Sequence, residues 1–139
     1  MVDAFSSLAW NTDLGWWSGR ADIRPGHAID VHVQAANDPA RLRSAVELAE
    51  PGRVRLGTSE PSVRAAIADQ MVEAHNGYCD PEDEVTAEQF AGRLRLLSAL
   101  FEPGGAVELC YHDGMLFGGH WIIVPIDPDG WVGEATEAG

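Results

Sequence analysis

The hydrophobic period of this chain changes once, near Leu94, and that change constrains the fold more than any other feature. Beyond it, apolar residues recur at alternate positions in short runs broken by turn residues, the signature of strands rather than of a helix. Leu94, Leu96, Leu97, Leu100 and Phe101 form the first run, and PGG at Pro103 to Gly105 turns it. AVELCYH returns at Ala106 to His112, the segment HWIIVPI follows the turn sequence YHDGMLFGGH, and DPDG leads into WVGEATE. Consecutive strands joined by tight turns are antiparallel. The chain from about Arg93 to Glu137 is therefore predicted to be a four-strand antiparallel meander.

Upstream, LGWWSGRA at Leu14 to Ala21 reads as a first strand and HAIDVHVQAA at His27 to Ala36 as a second. In the latter Ile29, Val31 and Val33 alternate with Asp30, His32 and Gln34, which gives one buried and one wet face. RPG at Arg24 to Gly26 joins the two as a hairpin. Asn37 and Asp38 then offer N-caps with Pro39 at the first helical position. Leu42, Ala45, Val46 and Ala49 keep helical spacing until Pro51 and Gly52 end the run. A second helix is expected from Ser59 or Glu60, with Pro61 in its first turn. Val63, Ala66, Ile67, Met71 and Ala74 share its apolar face, and Asn76 and Gly77 stop it. RVRLG between the two helices reads equally as a strand or a linker. CDPEDEV is a solvated loop, and Thr86 with Gln89 makes a capping box for a short helix, TAEQFAGR. The expected architecture is α+β in one domain, residues 1–139. An antiparallel sheet of about six strands, N-terminal hairpin plus C-terminal meander, would carry two or three helices on one face.

A chain of 139 residues can bury roughly two thirds of the surface it exposes when unfolded, so it needs neither disulfides nor a structural metal. With 45% apolar and 22% charged residues it is composed like a globular protein. The most apolar run, WIIV at Trp121 to Val124, is far too short to span a membrane. The N-terminus MVDAFSSLAW lacks the basic and apolar regions of a secretory leader, so a cytoplasmic location is expected. Cys79 and Cys110 match no zinc or redox spacing and read as free thiols.

The formal net charge of −13 is unevenly placed, since residues 80–139 hold 12 acidic side chains against Arg93 and Arg95, a local charge of −10. Such a field repels phosphate backbones and anionic lipid and favours a basic partner. It also serves solubility. Neither a nucleic acid nor a membrane is expected as a partner.

His112 and Asp113, with His120 seven residues on, form the one local group of catalytic-type side chains. Facing each other across a hairpin, they would resemble a metal or acid-base site. A turn accounts for the same residues: Asp113 and Gly114 are turn formers, Gly118 and Gly119 suggest a bulge, and two histidines fall short of a zinc site. Asp127 to Gly130 begins like a calcium loop but lacks the later ligands and reads as a hairpin turn. Cys110 and His112 share a strand face about 6 to 7 Å apart, too far for a direct hydrogen bond. Ser6, Ser7, Ser18, Ser44, Ser59, Ser62 and Ser98 sit in no nucleophile elbow, and no phosphate-binding glycine loop is present. His27, His32 and His75 read as surface or strand-face residues. No catalytic residue, metal or cofactor is expected. Tandem Trp16 and Trp17 must point to opposite faces of a strand, one into the core and one to solvent or a partner.

The segment VELCYHDGMLFGGHWIIVPIDPDG, together with the upstream TAEQFAGRLRLLSALF, resembles the bacterial domain-of-unknown-function family numbered 2262. The resemblance is close from Thr86 onward and loose before it. Asp113, Gly114, Phe117, Gly119 and His120 match that family's recurrent pattern, to which no catalytic role is attached. Small acidic proteins of this kind also resemble immunity proteins, which mask the basic surfaces of toxins. The expected function is protein binding, immunity-like, against a basic partner, with Trp16, Trp17, Asp80, Glu82, Asp83 and Glu84 as contact residues. The alternatives are a metal-dependent or acid-base enzyme centred on His112, Asp113 and His120, and a module that self-associates through an exposed Trp or an open sheet edge.

Overall fold

The computed structural model describes residues 7–139. Ser6 and most of the stretch read for a leader lie outside the described residues. The elements run β1 (Ala9–Asn11), β2 (Trp16–Arg24), β3 (His27–Val33), α1 (Pro39–Tyr78), α2 (Ala87–Arg93), β4 (Arg95–Phe101), β5 (Val107–His112), β6 (Trp121–Ile126) and β7 (Thr136–Ala138). Short 3-10 turns fall at Pro81–Asp83 and Pro103–Gly105. The seven strands form one sheet in sequence order. The α+β class stands, and the N-terminal hairpin and C-terminal meander lie side by side in that sheet.

The sheet is not wholly antiparallel, because β3 and β4 pair in parallel with Asp30 opposite Ser98 and Val33 opposite Phe101. Parallel neighbours require a long crossover, and α1 with α2 supplies it. A further edge strand, β1, is added to the expected set, with Trp10 opposite Trp17. The closing run WVGEATE is only partly a strand: Val132 bridges to Ile126, Gly133 N donates to Pro125 O at 2.8 Å, and regular pairing resumes at Thr136 opposite Ile123.

The helices depart further from the expected pattern. Pro51 and Pro61 do not divide the segment: α1 is one helix of 40 residues with both prolines inside it, so RVRLG is neither strand nor linker and Ser59 and Glu60 cap nothing. An interior proline costs about 3 kcal/mol or more. Against that cost stands a stripe that runs through both prolines, comprising Ala49, Leu56, Val63, Ile67 and Ala68, all buried. Fully burying each Leu, Ile or Val contributes about 1.5–3 kcal/mol, enough in sum to keep the helix continuous. Gly57 allows the close approach this requires, since a Cβ there would stand 2.4 Å from Ile23 O of β2. The expected start is sound, with Asp38 as N-cap accepting from Ala40 N at 2.9 Å. The capping box of α2 is also formed in both directions, Gln89 N to Thr86 Oγ1 at 3.1 Å and Thr86 N to Gln89 Oε1 at 2.9 Å.

The helices lie on the sheet face that carries Ile29, Val31, Val33, Ala99, Leu109, Tyr111, Ile122 and Val124, all of them buried. The opposite face presents Ser18, Arg20, Asp30, Ser98, Cys110 and Ile123 in half-buried or exposed positions. Alternation along each strand dictates that division. Among the described residues, no helix is long and apolar enough to cross a membrane.

Candidate functional site

The turn sequence between β5 and β6 is built around one carboxylate. Asp113 has no solvent exposure. Its Oδ1 accepts from Met115 N at 2.8 Å, and its Oδ2 accepts from Phe117 N at 2.9 Å, His120 N at 3.0 Å and Gly119 N at 3.2 Å. For these N–H groups to converge, the backbone must turn left-handed at Gly114, Met115, Gly118 and Gly119. That is why glycine is needed there and why Met115 is held at φ 69. Burial pushes the Asp113 carboxyl up, but the N–H groups of His120, Met115, Phe117 and Gly119 together outweigh it, so the acid sits below its ordinary range.

The two histidines have other partners. His112 Nδ1 accepts from Gly114 N at 3.0 Å, whereas His120 Nδ1 pairs with Glu137 of β7. Asp113 is thus brought against the backbone of His120 and beside the ring of His112, whose Nδ1 stands 4.0 Å from Asp113 Oδ1, while the His120 imidazole is turned to Glu137. Among the described residues there is no group of three or more His, Cys, Asp or Glu side chains that could hold a metal ion. Asp127 likewise organises its own turn, accepting from Asp129 N and Trp131 N, both at 2.9 Å.

A second loop is presented very differently. Asn76, near the end of α1, donates through Nδ2 to Val85 O at 2.8 Å and accepts from Val85 N at 3.0 Å. The intervening stretch is therefore clamped at both ends. It displays Asp80, Glu82, Asp83 and Glu84 in exposed positions, beside Tyr78, which is 91% exposed. None of these four carboxylates takes part in an ion pair among the described residues. Their field is felt at the neighbouring thiol: desolvation and then Glu84, Asp83 and Asp80 push Cys79 up, a backbone hydrogen bond opposing them. Acids just beyond a helix C-terminus also oppose the helix dipole.

The anchor for this clamp is His75, expected at the surface but buried here on α1. Its ring meets Phe90 of α2 at 6.1 Å and Phe117 of the Asp113 loop at 5.8 Å, both edge-on. One aromatic cluster therefore supports both loops.

Of the tandem tryptophans, Trp17 lies on the core face, packs against Trp10 at 5.8 Å and donates through Nε1 to Ala36 O at 3.1 Å. Trp16 lies on the open face against His32 at 5.4 Å. Both are half-buried, and the indoles that stand out are Trp121 and Trp131, 51% and 76% exposed. His32 is bonded to Ser18 Oγ at 2.8 Å, and burial lowers its pKa while Asp30 opposes the shift. Cys110 is half-buried, and its thiol is pushed up by burial and by Glu108 against a hydrogen bond from Ser98.

The model of a family of uncharacterized proteins conserved in bacteria, DUF2262, matches residues 2–136. The chain belongs to that family. The match extends well beyond the segment from Thr86 onward that carries the close resemblance, and it takes in α1 and the N-terminal hairpin. No curated protein and no solved structure matches the chain.

A second buried carboxylate of this family member, Glu60, carries no signal in the sequence beyond its place beside Pro61. Glu60 is 1% exposed. Its Oε2 accepts from Arg64 Nε at 2.8 Å and from the Tyr111 hydroxyl at 2.9 Å, and its Oε1 lies 3.4 Å from Arg24 Nη2. A register shift between Asp22 and Arg24 re-aims the end of β2 toward the helix. Burial, then Glu60 by charge and by hydrogen bonding, raise the Tyr111 pKa, with Arg64 and Arg24 opposing. The cluster is closed from solvent at Glu60 and Tyr111, so it ties helix to sheet.

Proposed function

We propose that this DUF2262 member is a protein-binding domain whose clamped acidic loop, Tyr78 to Glu84, engages a basic protein surface, in the manner of an immunity protein masking a toxin. The observation that supports it is the display of a 91% exposed tyrosine beside four carboxylates with no ion pair among the described residues, on a loop already held at both ends by Asn76 and Val85. An exposed aromatic is the common anchor of an interface. Carboxylates around it steer a cationic partner and raise its association rate. A loop ordered before binding loses less entropy on association.

The carboxylate of Asp113, which an acid-base enzyme would need free, is spent on four backbone N–H groups. This use turns the reading away from catalysis at His112, Asp113 and His120. A cytoplasmic location fits a partner met before export or after entry.

The test begins with the products of genes adjacent to the one encoding this chain. Each is mixed with the purified chain at low and at high salt, and complex formation is read by size-exclusion chromatography with light scattering. The reading expects a basic product that forms a salt-sensitive heterocomplex. Association only with acidic or neutral products, or a homodimer with no heterocomplex, counts against it.

A further inference from the structure

Where α1 crosses the ends of β5 and β6, the helix carries Gly52, Ser59 and Ser62 on the side lining a recess. These small residues leave a cavity of about 90 Å³ walled by Leu56, Val63, Val107, Ile126 and Val132. The recess opens to solvent on the side where Arg55 and Asp127 stand exposed, and its base is apolar. Two charges of opposite sign, Arg55 and Asp127, line the same recess.

Both charges retain capacity for a ligand. Arg55 donates through Nη1 to Pro128 O at 3.1 Å, and its Nε and Nη2 make no hydrogen bond among the described residues. Asp127 uses Oδ1 for Asp129 N and Trp131 N, and its Oδ2 makes none among the described residues. The turn between them is shaped to admit the guanidinium, since Gly130 has φ +94 and a Cβ there would stand 3.2 Å from Arg55 Nη1.

We propose that this recess binds a free branched-chain aliphatic α-amino acid, with its side chain on the apolar wall, its carboxylate on Arg55 and its ammonium on Asp127. Size selects the side chain: a cavity of roughly 150 Å³ is what takes up benzene, so the smaller space here suits an isobutyl or sec-butyl group and rejects a phenyl ring. Charge selects the head group. A chain of net charge −13 repels a simple carboxylate, whereas a zwitterion brings no net charge and finds one partner for each of its ends.

The test titrates the full chain, by calorimetry and by amide chemical shifts, with L-leucine, L-phenylalanine, isovalerate (no amine) and isoamylamine (no carboxylate). Saturable binding of L-leucine is expected, with at least about tenfold weaker binding of the other three. Arg55→Gln should weaken L-leucine by about tenfold. Gly52→Ala adds a methyl in ordinary contact with Val107 Cγ2 at 3.5 Å. Helix propensity should leave this variant at least as stable to heat as the parent, yet its L-leucine binding should fall. Absence of L-leucine binding up to about 10 mM overturns the proposal, as does equal binding of L-phenylalanine, isovalerate or isoamylamine. So does unchanged affinity in a folded Gly52→Ala.

Discussion

The hydroxyl of Tyr111 donates to Glu60 Oε2 across 2.9 Å and joins the middle of α1 to the centre of the sheet. Both residues are buried, and loss of the hydroxyl leaves the charged Oε2 with Arg64 Nε as its remaining partner among the described residues. Tyr111→Phe is expected to cost about 1–3 kcal/mol in urea unfolding. The pH dependence follows from the raised pKa. The folded chain keeps the phenolic proton above pH 10.0, where the unfolded chain releases it. This contribution is fully present below that pH and is lost as pH rises beyond it. Wild type should therefore lose more stability than Tyr111→Phe between neutral and strongly alkaline pH, and equal losses would contradict the role given to the bond.

Asp113 provides the opposite pH signature. Its carboxyl is depressed below 3.8, so its contribution is present above that value and disappears as pH falls through the folded pKa. Asp113→Asn keeps the shape but brings an NH2 group against backbone donors. A loss on the order of 3 kcal/mol is expected. Hydrogen exchange should accelerate at the amides of Met115, Phe117, Gly119 and His120 before it does in the core strands. Protection unchanged at those four would show that the carboxylate does not hold the loop.

Gly57 and Gly77 lie in the same helix and should respond oppositely to alanine. At Gly57 the new Cβ would sit 2.4 Å from Ile23 O, and separating helix from strand should cost about 1–3 kcal/mol. At Gly77 nothing lies within 4 Å, and the gain in helix propensity should stabilise by about 0.5–1 kcal/mol. Thermal denaturation of the two variants decides it.

The acidic loop should be held at some expense to stability. Neutralising Glu82 and Asp83 relieves repulsion and the clash with the dipole of α1, so Glu82→Gln with Asp83→Asn should raise stability at low salt by about 0.3–1 kcal/mol. The difference should shrink at high salt. If the double variant is less stable at low salt, the carboxylates serve the fold rather than a partner.

The meander, the hairpin and both helix caps were legible because each rests on local chemistry: alternation in HAIDVHV, the capping box of Thr86 and Gln89, the turn residues of DPDG. The continuity of α1 was not. Pro51 and Pro61 are strong local breakers, and what overrides them is the burial of Leu56, Val63 and Ile67 against a sheet whose strands lie on either side in sequence. The parallel pairing of β3 and β4 was hidden for the same reason, since a meander signal reports only neighbours joined by turns. Asp113 was singled out correctly as part of a turn, but its four N–H partners depend on left-handed backbone at Gly118 and Gly119 that no pattern specifies. Glu60 looked like a helix start beside Pro61. Only the three-dimensional approach of Arg24, Arg64 and Tyr111 makes it a buried anchor. Tyr78, in the midst of polar residues, gave no sign of its exposure, though its place before CDPEDE is where a pinned loop would display it.

The proposed docking surface for a basic protein comprises Tyr78, Asp80, Glu82, Asp83 and Glu84. Its most direct test is stopped-flow association of that protein with wild type and with the fourfold variant Asp80→Asn, Glu82→Gln, Asp83→Asn, Glu84→Gln, at about 50 and 300 mM salt. Neutralisation should slow association by about tenfold or more at the lower salt, with a smaller effect on dissociation, and added salt should remove most of the difference. Association rates that match between the two proteins at low salt would contradict it.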